Sequence, residues 1–201
     1  PSCSFDRGQE MVLEAFGAFS PGFGAMAREF FVGRWIDAEV ADGKRGGAFC
    51  AGVTPDLHPY VLLSYTSQPR DVMTLAHELG HGCHQILAGS QGHLMADTPL
   101  TLAETASVFG EMLTFRAILA REKDPKRRRV LLATKVEDML NTVVRQIAFF
   151  DFETQIHDER RKGEITAERI GEIWLSTQKE ALEAASLSAS RRFRCRKGWN
   201  S

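Results

Sequence analysis

The sequence predicts a mainly α-helical chain carrying one small β element, on three observations. Apolar residues recur at three- and four-residue spacing over most of the 201 residues. One stretch, 43–66, breaks that texture with short β-branched and aromatic runs bounded by glycine and proline. Pro69, Gly89, Pro125 and Gly163 then punctuate the rest where helices would start or stop.

Taken in order, "RGQEMVLEAFGAF" and "AMAREFFVGRWIDAEV" read as two helices separated by the turn Ser20-Pro21-Gly22. "GKRGGAFCAGV" and "PYVLLSYT" read as two strands of a hairpin joined near "TPDLHP". "RDVMTLAHELGHGCHQILAG" is a helix that Gly89 ends, and "GSQGHLMADTP" is a loop. "PLTLAETASVFGEMLTFRAILARE" is the next helix. Asp124-Pro125 ends it and opens another of about ten turns, which Gly163 closes. Thr166 is the N-cap of "TAERIGEIWLSTQKEALEAA". After Leu182 the amphipathic pattern fades and arginine becomes dense. Residues 1–183 therefore read as the folded part and 184–201 as an irregular basic tail.

Composition narrows the function. Apolar residues make up 43% and charged residues 25%, as in soluble globular proteins. A net charge of −1 points to neither nucleic acid nor an acidic membrane. The basic cluster "REKDPKRRR" has no interleaved aromatics and reads as a solvated helix end. No apolar run approaches the roughly 20 residues a bilayer span needs, and no signal-peptide pattern opens the chain. Cys3, Cys50, Cys83 and Cys195 form no CxxC pair, which argues against a disulfide framework and a thiolate metal cluster and for a reducing, intracellular setting.

The chemistry is concentrated in His77-Glu78-Leu79-Gly80-His81, an H-E-x-x-H match. Chance would produce one in a chain this long about once in two hundred sequences. On a helix, positions i and i+4 lie one above the other, so both imidazoles aim at one point at a spacing that suits zinc. Glu78 projects beside them, placed to take a proton from a zinc-bound water and pass it to a leaving amine. A catalytic zinc needs a third protein ligand. His84 falls near the same face, but three ligands from one straight helix cannot surround a tetrahedral ion, so it reads as a residue behind the ligands or hydrogen-bonded in the core. Glu104, on the next helix, returns beside the pair if the two helices run antiparallel. Ser107 and Glu111 share its face. Glu111 either orients a histidine or pairs with an arginine. Cys83 faces away and reads as a small buried hydrophobe. His58, His93 and His157 lack ligand spacing.

The segments "TLAHELGHGCHQ" and "GSQGHLMADTPLTLAETASVFGEML" closely resemble the oligoendopeptidase F branch of the thimet-oligopeptidase-like zinc peptidases. The family motif H-E-x-G-H-x-x-H is met by His77, Glu78, Gly80, His81 and His84, and its E-T-x-S segment by Glu104, Thr105 and Ser107. The resemblance runs from about residue 5 to 183. It implies a cytoplasmic enzyme binding one zinc per chain and cutting short peptides. It also implies a zincin-type helical catalytic domain with a small sheet beside a deep channel. The peptide would lie along a strand edge within 59–66, with Gly47, Ala48, Tyr60 and Tyr65 as substrate contacts and the glycines allowing close backbone approach.

Members of that family are several times longer, with a helical N-terminal part that roofs the channel. They continue past the "QKEAL" helix into a histidine- and tyrosine-bearing segment that binds the oxyanion. This chain therefore reads as a partial one, whose only tyrosines, Tyr60 and Tyr65, precede the zinc motif. Loss of one oxyanion donor costs about 100- to 1,000-fold in rate. The alternative is a zinc-binding fragment that folds and self-associates without turnover. Helix faces left exposed predict a homo-oligomer.

Overall fold

The computed structural model describes the backbone of residues 2–195 and the side chains through Glu183. Among them are α1 (Phe5–Phe19), α2 (Pro21–Val32), β1 (Ile36–Asp37), β2 (Ala48–Ala51), β3 (Tyr60–Leu63), α3 (Pro69–Gly89), α4 (Leu100–Arg121), α5 (Pro125–Arg160) and α6 (Ala167–Cys195). The expected class holds: helices dominate and one small sheet stands beside α3.

The second predicted helix stops early. Its periodicity suggested continuation to Val40, but α2 ends at Val32. Gly33 donates to the Glu29 carbonyl, Arg34 adopts φ 59°, and the chain turns into β1. Only glycine fits at 33, because a Cβ there would lie 2.3 Å from the Trp35 indole nitrogen. Trp35 is thereby folded back, edge-on to Phe30 and stacked on His58 at 4.0 Å.

The strand order is β1-β3-β2, with β1 parallel and β2 antiparallel to β3. The hairpin is as expected, Phe49 opposite Leu62 and Ala51 opposite Tyr60. The third strand was not foreseen. Lys44 secures the connection beside it, its ammonium donating to the Asp37, Glu39 and Leu63 carbonyls at 2.6–3.1 Å while pairing with Asp37.

α1, α2, α3 and the inner face of the sheet share one apolar core, including Val12, Phe16, Phe30, Val61, Leu63, Leu75 and Leu79, all at most 1% exposed. Burying such side chains stabilises by about 1.5–3 kcal/mol each before entropy is counted. Cys83 joins this core at 1% exposure, and burial pushes its thiol up to about 12.

The chain divides into two compact units, Pro1–Lys123 and Asp124–Ser201. In the second, Asp124 caps α5 by accepting from the Lys126 amide, as the Asp-Pro signal implied. Thr166 caps α6 through the Arg169 amide at 3.2 Å. α6 is helical through Cys195, twelve residues into the segment read as irregular. Residues 196–201 of that tail lie outside the described residues.

Candidate active site

α3 begins with a reciprocal cap: Gln68 and Asp71 each satisfy the other's backbone, and Asp71 also accepts from Thr66 at 2.7 Å. From that fixed start, 21 helical residues carry His77, Glu78 and His81 to the side that lines a cleft, while Leu75, Leu79 and Cys83 face the core. The His77 and His81 rings lie 5.0 Å apart. α4 supplies Glu104, whose Oε2 sits 3.0 Å from His77 Nε2 and 3.4 Å from His81 Nε2. These three ligand atoms lie within 4.8 Å of one another. Two imidazole nitrogens and one carboxylate oxygen are the donor set that catalytic zinc takes, so the residues fit the ion.

Two glycines bring α3 and α4 this close. A Cβ on Gly80 would lie 2.5 Å from the Ala106 carbonyl oxygen, and one on Gly110 would lie 2.9 Å from the Ala76 carbonyl oxygen. Each helix thus gives up a side chain where it meets the other's backbone. An interior helix glycine costs roughly 1 kcal/mol against alanine, so two such glycines in the sequence were the available signal for this crossing.

The residues behind the ligands fall where their spacing suggested. Ser107, fully buried, donates to Glu104 Oε2 at 2.7 Å. Glu111 Oε2 lies 3.3 Å from His77 Nδ1, which leaves Nε2 facing Glu104. The Ala103 carbonyl accepts from the His81 ring, a backbone role that sequence reading missed. His84 lines the cleft wall.

Electrostatics separate the groups. Burial alone would depress His77, but the hydrogen bond to Glu111 and the charges of Glu78, Glu104 and Glu111 raise it. Burial lowers His81, and its neighbours His77 and His84 add to that against Glu104. Glu78 is 6% exposed, and burial lifts its carboxyl above the ordinary range. His77 and the Cys50 amide pull it back down, while Glu104 pushes it further up.

Beside these groups opens a cleft of about 810 Å³, walled by α3, by β2 and the loop after it, and by the loop before α4. The expected strand edge needs correction. β3 is the central strand, paired on both sides, so 59–66 offers no free edge. Of the two outer strands, β1 and β2, it is β2 whose free edge borders the cleft. Val61 donates to the Trp35 carbonyl on the β1 side, so by alternation Phe49 and Ala51 bond β3, while the backbone groups of Ala48 and Cys50 point to the open edge. The Cys50 amide there reaches Glu78. Ala48 lines the cleft, and Gly47 immediately precedes it with φ 92°.

Neither tyrosine lines the cleft. Tyr60 is exposed and leans on His58. Tyr65 is core, 8% exposed, donating to the Ser4 carbonyl at 3.3 Å, because its position alternates inward with Val61 and Leu63.

Over 173 residues the chain is 32% identical to the Oligoendopeptidase F homolog of Lactococcus lactis subsp. lactis (strain IL1403), a match covering 85% of this chain and 29% of that protein. It is 27% identical over 179 residues to Oligopeptidase PepF of Bacillus subtilis (strain 168), covering 88% and 27%. PZ peptidase A, solved with an inhibitor, superposes with a TM-score of 0.76 over 91% of this chain and 32% of that one; at 17% identity the likeness is one of fold. The chain spans about three-tenths of the length of the curated relatives it matches. A profile of Peptidase family M3 matches residues 23–197, and the chain belongs to that family.

Proposed function

We propose that this chain carries the hydrolytic centre of a zinc-dependent oligopeptidase acting on short peptides. The observation that carries the reading is the convergence of His77, His81 and Glu104 within 4.8 Å, with a buried carboxylate, Glu78, adjoining them. His77, His81 and Glu104 would hold one zinc ion, which when bound supplies Lewis acidity toward the peptide carbonyl and the attacking water. Glu78 takes the water's proton and returns it to the departing amine. Its raised affinity for protons suits a group that must first accept and then donate. Ser107 and Glu111 are positioning residues, fixing Glu104 and the His77 ring. The β2 edge holds an extended peptide through the Ala48 backbone, and the cleft's volume leaves room for a short extended segment. A cytoplasmic setting is supported by free Cys3, Cys50 and Cys83, and no helix among the described residues is long and apolar enough to cross a membrane.

One observation favours a second reading, a metal-binding chain without turnover: the Glu104 side chain is 63% exposed, so water reaches the ligand set. A quenched fluorescent peptide assay with metal analysis separates the two. Chelator-sensitive cleavage that Glu78→Gln abolishes, with metal content unchanged, supports hydrolysis. Bound zinc with no cleavage supports the second reading. Cleavage that survives in the Gln variant refutes Glu78 as the base.

A further inference from the structure

α5 has 36 residues, about 54 Å of helix, and only one side of its C-terminal half is packed by α6. There Phe149 and Phe152 meet Trp174, Glu159 meets Arg169, and Ala148 is buried. The other side carries Leu132, Val136, Met139, Leu140, Val143, Ile147 and Phe150, spaced by one, three or four residues and between 41% and 68% exposed. At about 100° per residue these seven fall within an arc of roughly 100°, opposite Phe149 and Phe152. A stripe this long and continuous on a water-exposed helix is the signature of a helix–helix interface.

Charge selects the occupant. The stripe is bracketed by Arg129 at one end and Asp151 at the other, both exposed, each eleven residues from Leu140. The apolar run 132–150 is centred within a residue of the same point. A second copy laid parallel would set Arg129 against Arg129 and Asp151 against Asp151. Laid antiparallel about a two-fold axis at Leu140, it sets each Arg129 against an Asp151 of the other copy and the apolar run against itself. We propose that this face of α5 pairs antiparallel with the same face of a second copy of the chain, in the register Arg129 to Asp151.

Sedimentation equilibrium across a concentration series tests it, with circular dichroism confirming unchanged helicity in every variant. The expected result is a dimer that Val136→Glu or Leu140→Glu dissociates. Arg129→Asp and Asp151→Arg, each creating two like-charge contacts per dimer, should weaken it about tenfold. The double variant R129D/D151R should restore it, which a parallel pair would not do. A wild-type chain that stays monomeric throughout, leaving the stripe to another polypeptide segment, overturns the proposal. So does a dimer indifferent to Val136→Glu, or a charge swap that fails to restore association.

Discussion

Replacing Gly80 by alanine probes the contact on which the proposed metal site depends. The new Cβ would lie 2.5 Å from the Ala106 carbonyl oxygen and 2.7 Å from Ser107 Cα, where ordinary contact begins at 3.4 Å. The first distance falls short by 3.4 − 2.5 = 0.9 Å, and the obstructing atoms are backbone, so α4 as a whole must retreat. Overpacking of this kind costs about 1–3 kcal/mol, against a gain of about 1 kcal/mol from the better helix propensity of alanine. Gly17→Ala is the control within the same unit, since a Cβ there meets nothing within 4 Å. It should gain up to about 1 kcal/mol, so urea midpoints should place G80A roughly 1–3 kcal/mol below G17A. The retreat also carries away Ser107, whose 2.7 Å bond orients Glu104. Zinc affinity, read by competition with a chromophoric chelator, should therefore fall about 10- to 100-fold in G80A and stay unchanged in G17A. If G80A is as stable as G17A and binds zinc as tightly as the wild type, the close crossing of α3 and α4 does not set the site.

Other outcomes follow from the same geometry. Glu111→Gln keeps the shape but removes the charge that faces His77 Nδ1, so zinc affinity should drop about 10- to 100-fold with little change in urea midpoint; equal affinity would remove Glu111 from the site. Tyr65→Phe loses the hydroxyl's bonds with the Ser4 carbonyl and the Cys3 thiol, so it should cost about 0.5–1.5 kcal/mol in unfolding experiments and leave peptide binding untouched; impaired binding would restore Tyr65 as a substrate contact. The hydrogen bond from Arg169, aided by its charge, holds the Glu159 carboxyl below its ordinary value of 4.5. A depressed folded-state pKa contributes stability above 4.5 that is lost as pH falls through the depressed value. The difference in melting temperature between wild type and Glu159→Gln should therefore be present at neutral pH and vanish in acid. A difference that persists in acid would show the ion pair is not its source.

By itself the sequence determined whatever one element decides alone. The i, i+4 spacing of His77 and His81, the Asp124-Pro125 break, the Thr166 cap and the strand texture around 48–63 all follow from periodicity and capping, which act within a few residues. Glu104, Ser107 and Glu111 were legible too, because helical spacing places them on one face whatever lies opposite. The tertiary structure decided what depends on contacts between distant segments. Ile36–Asp37 became a strand despite helical spacing, because β3 presented an edge and Trp35 had a place against Phe30 and His58. That third strand closed the second side of β3, so the free backbone edge beside the cleft belongs to Ala48 and Cys50 and not to the segment around Tyr60. The two interior glycines, Gly80 and Gly110, hinted at a close crossing, but which backbone each would meet, and so the separation of α3 and α4, was settled only when the helices packed. Hydrogen-bond ladders and close packing join residues far apart in the chain, and their partners are chosen by the free energy of the assembled core.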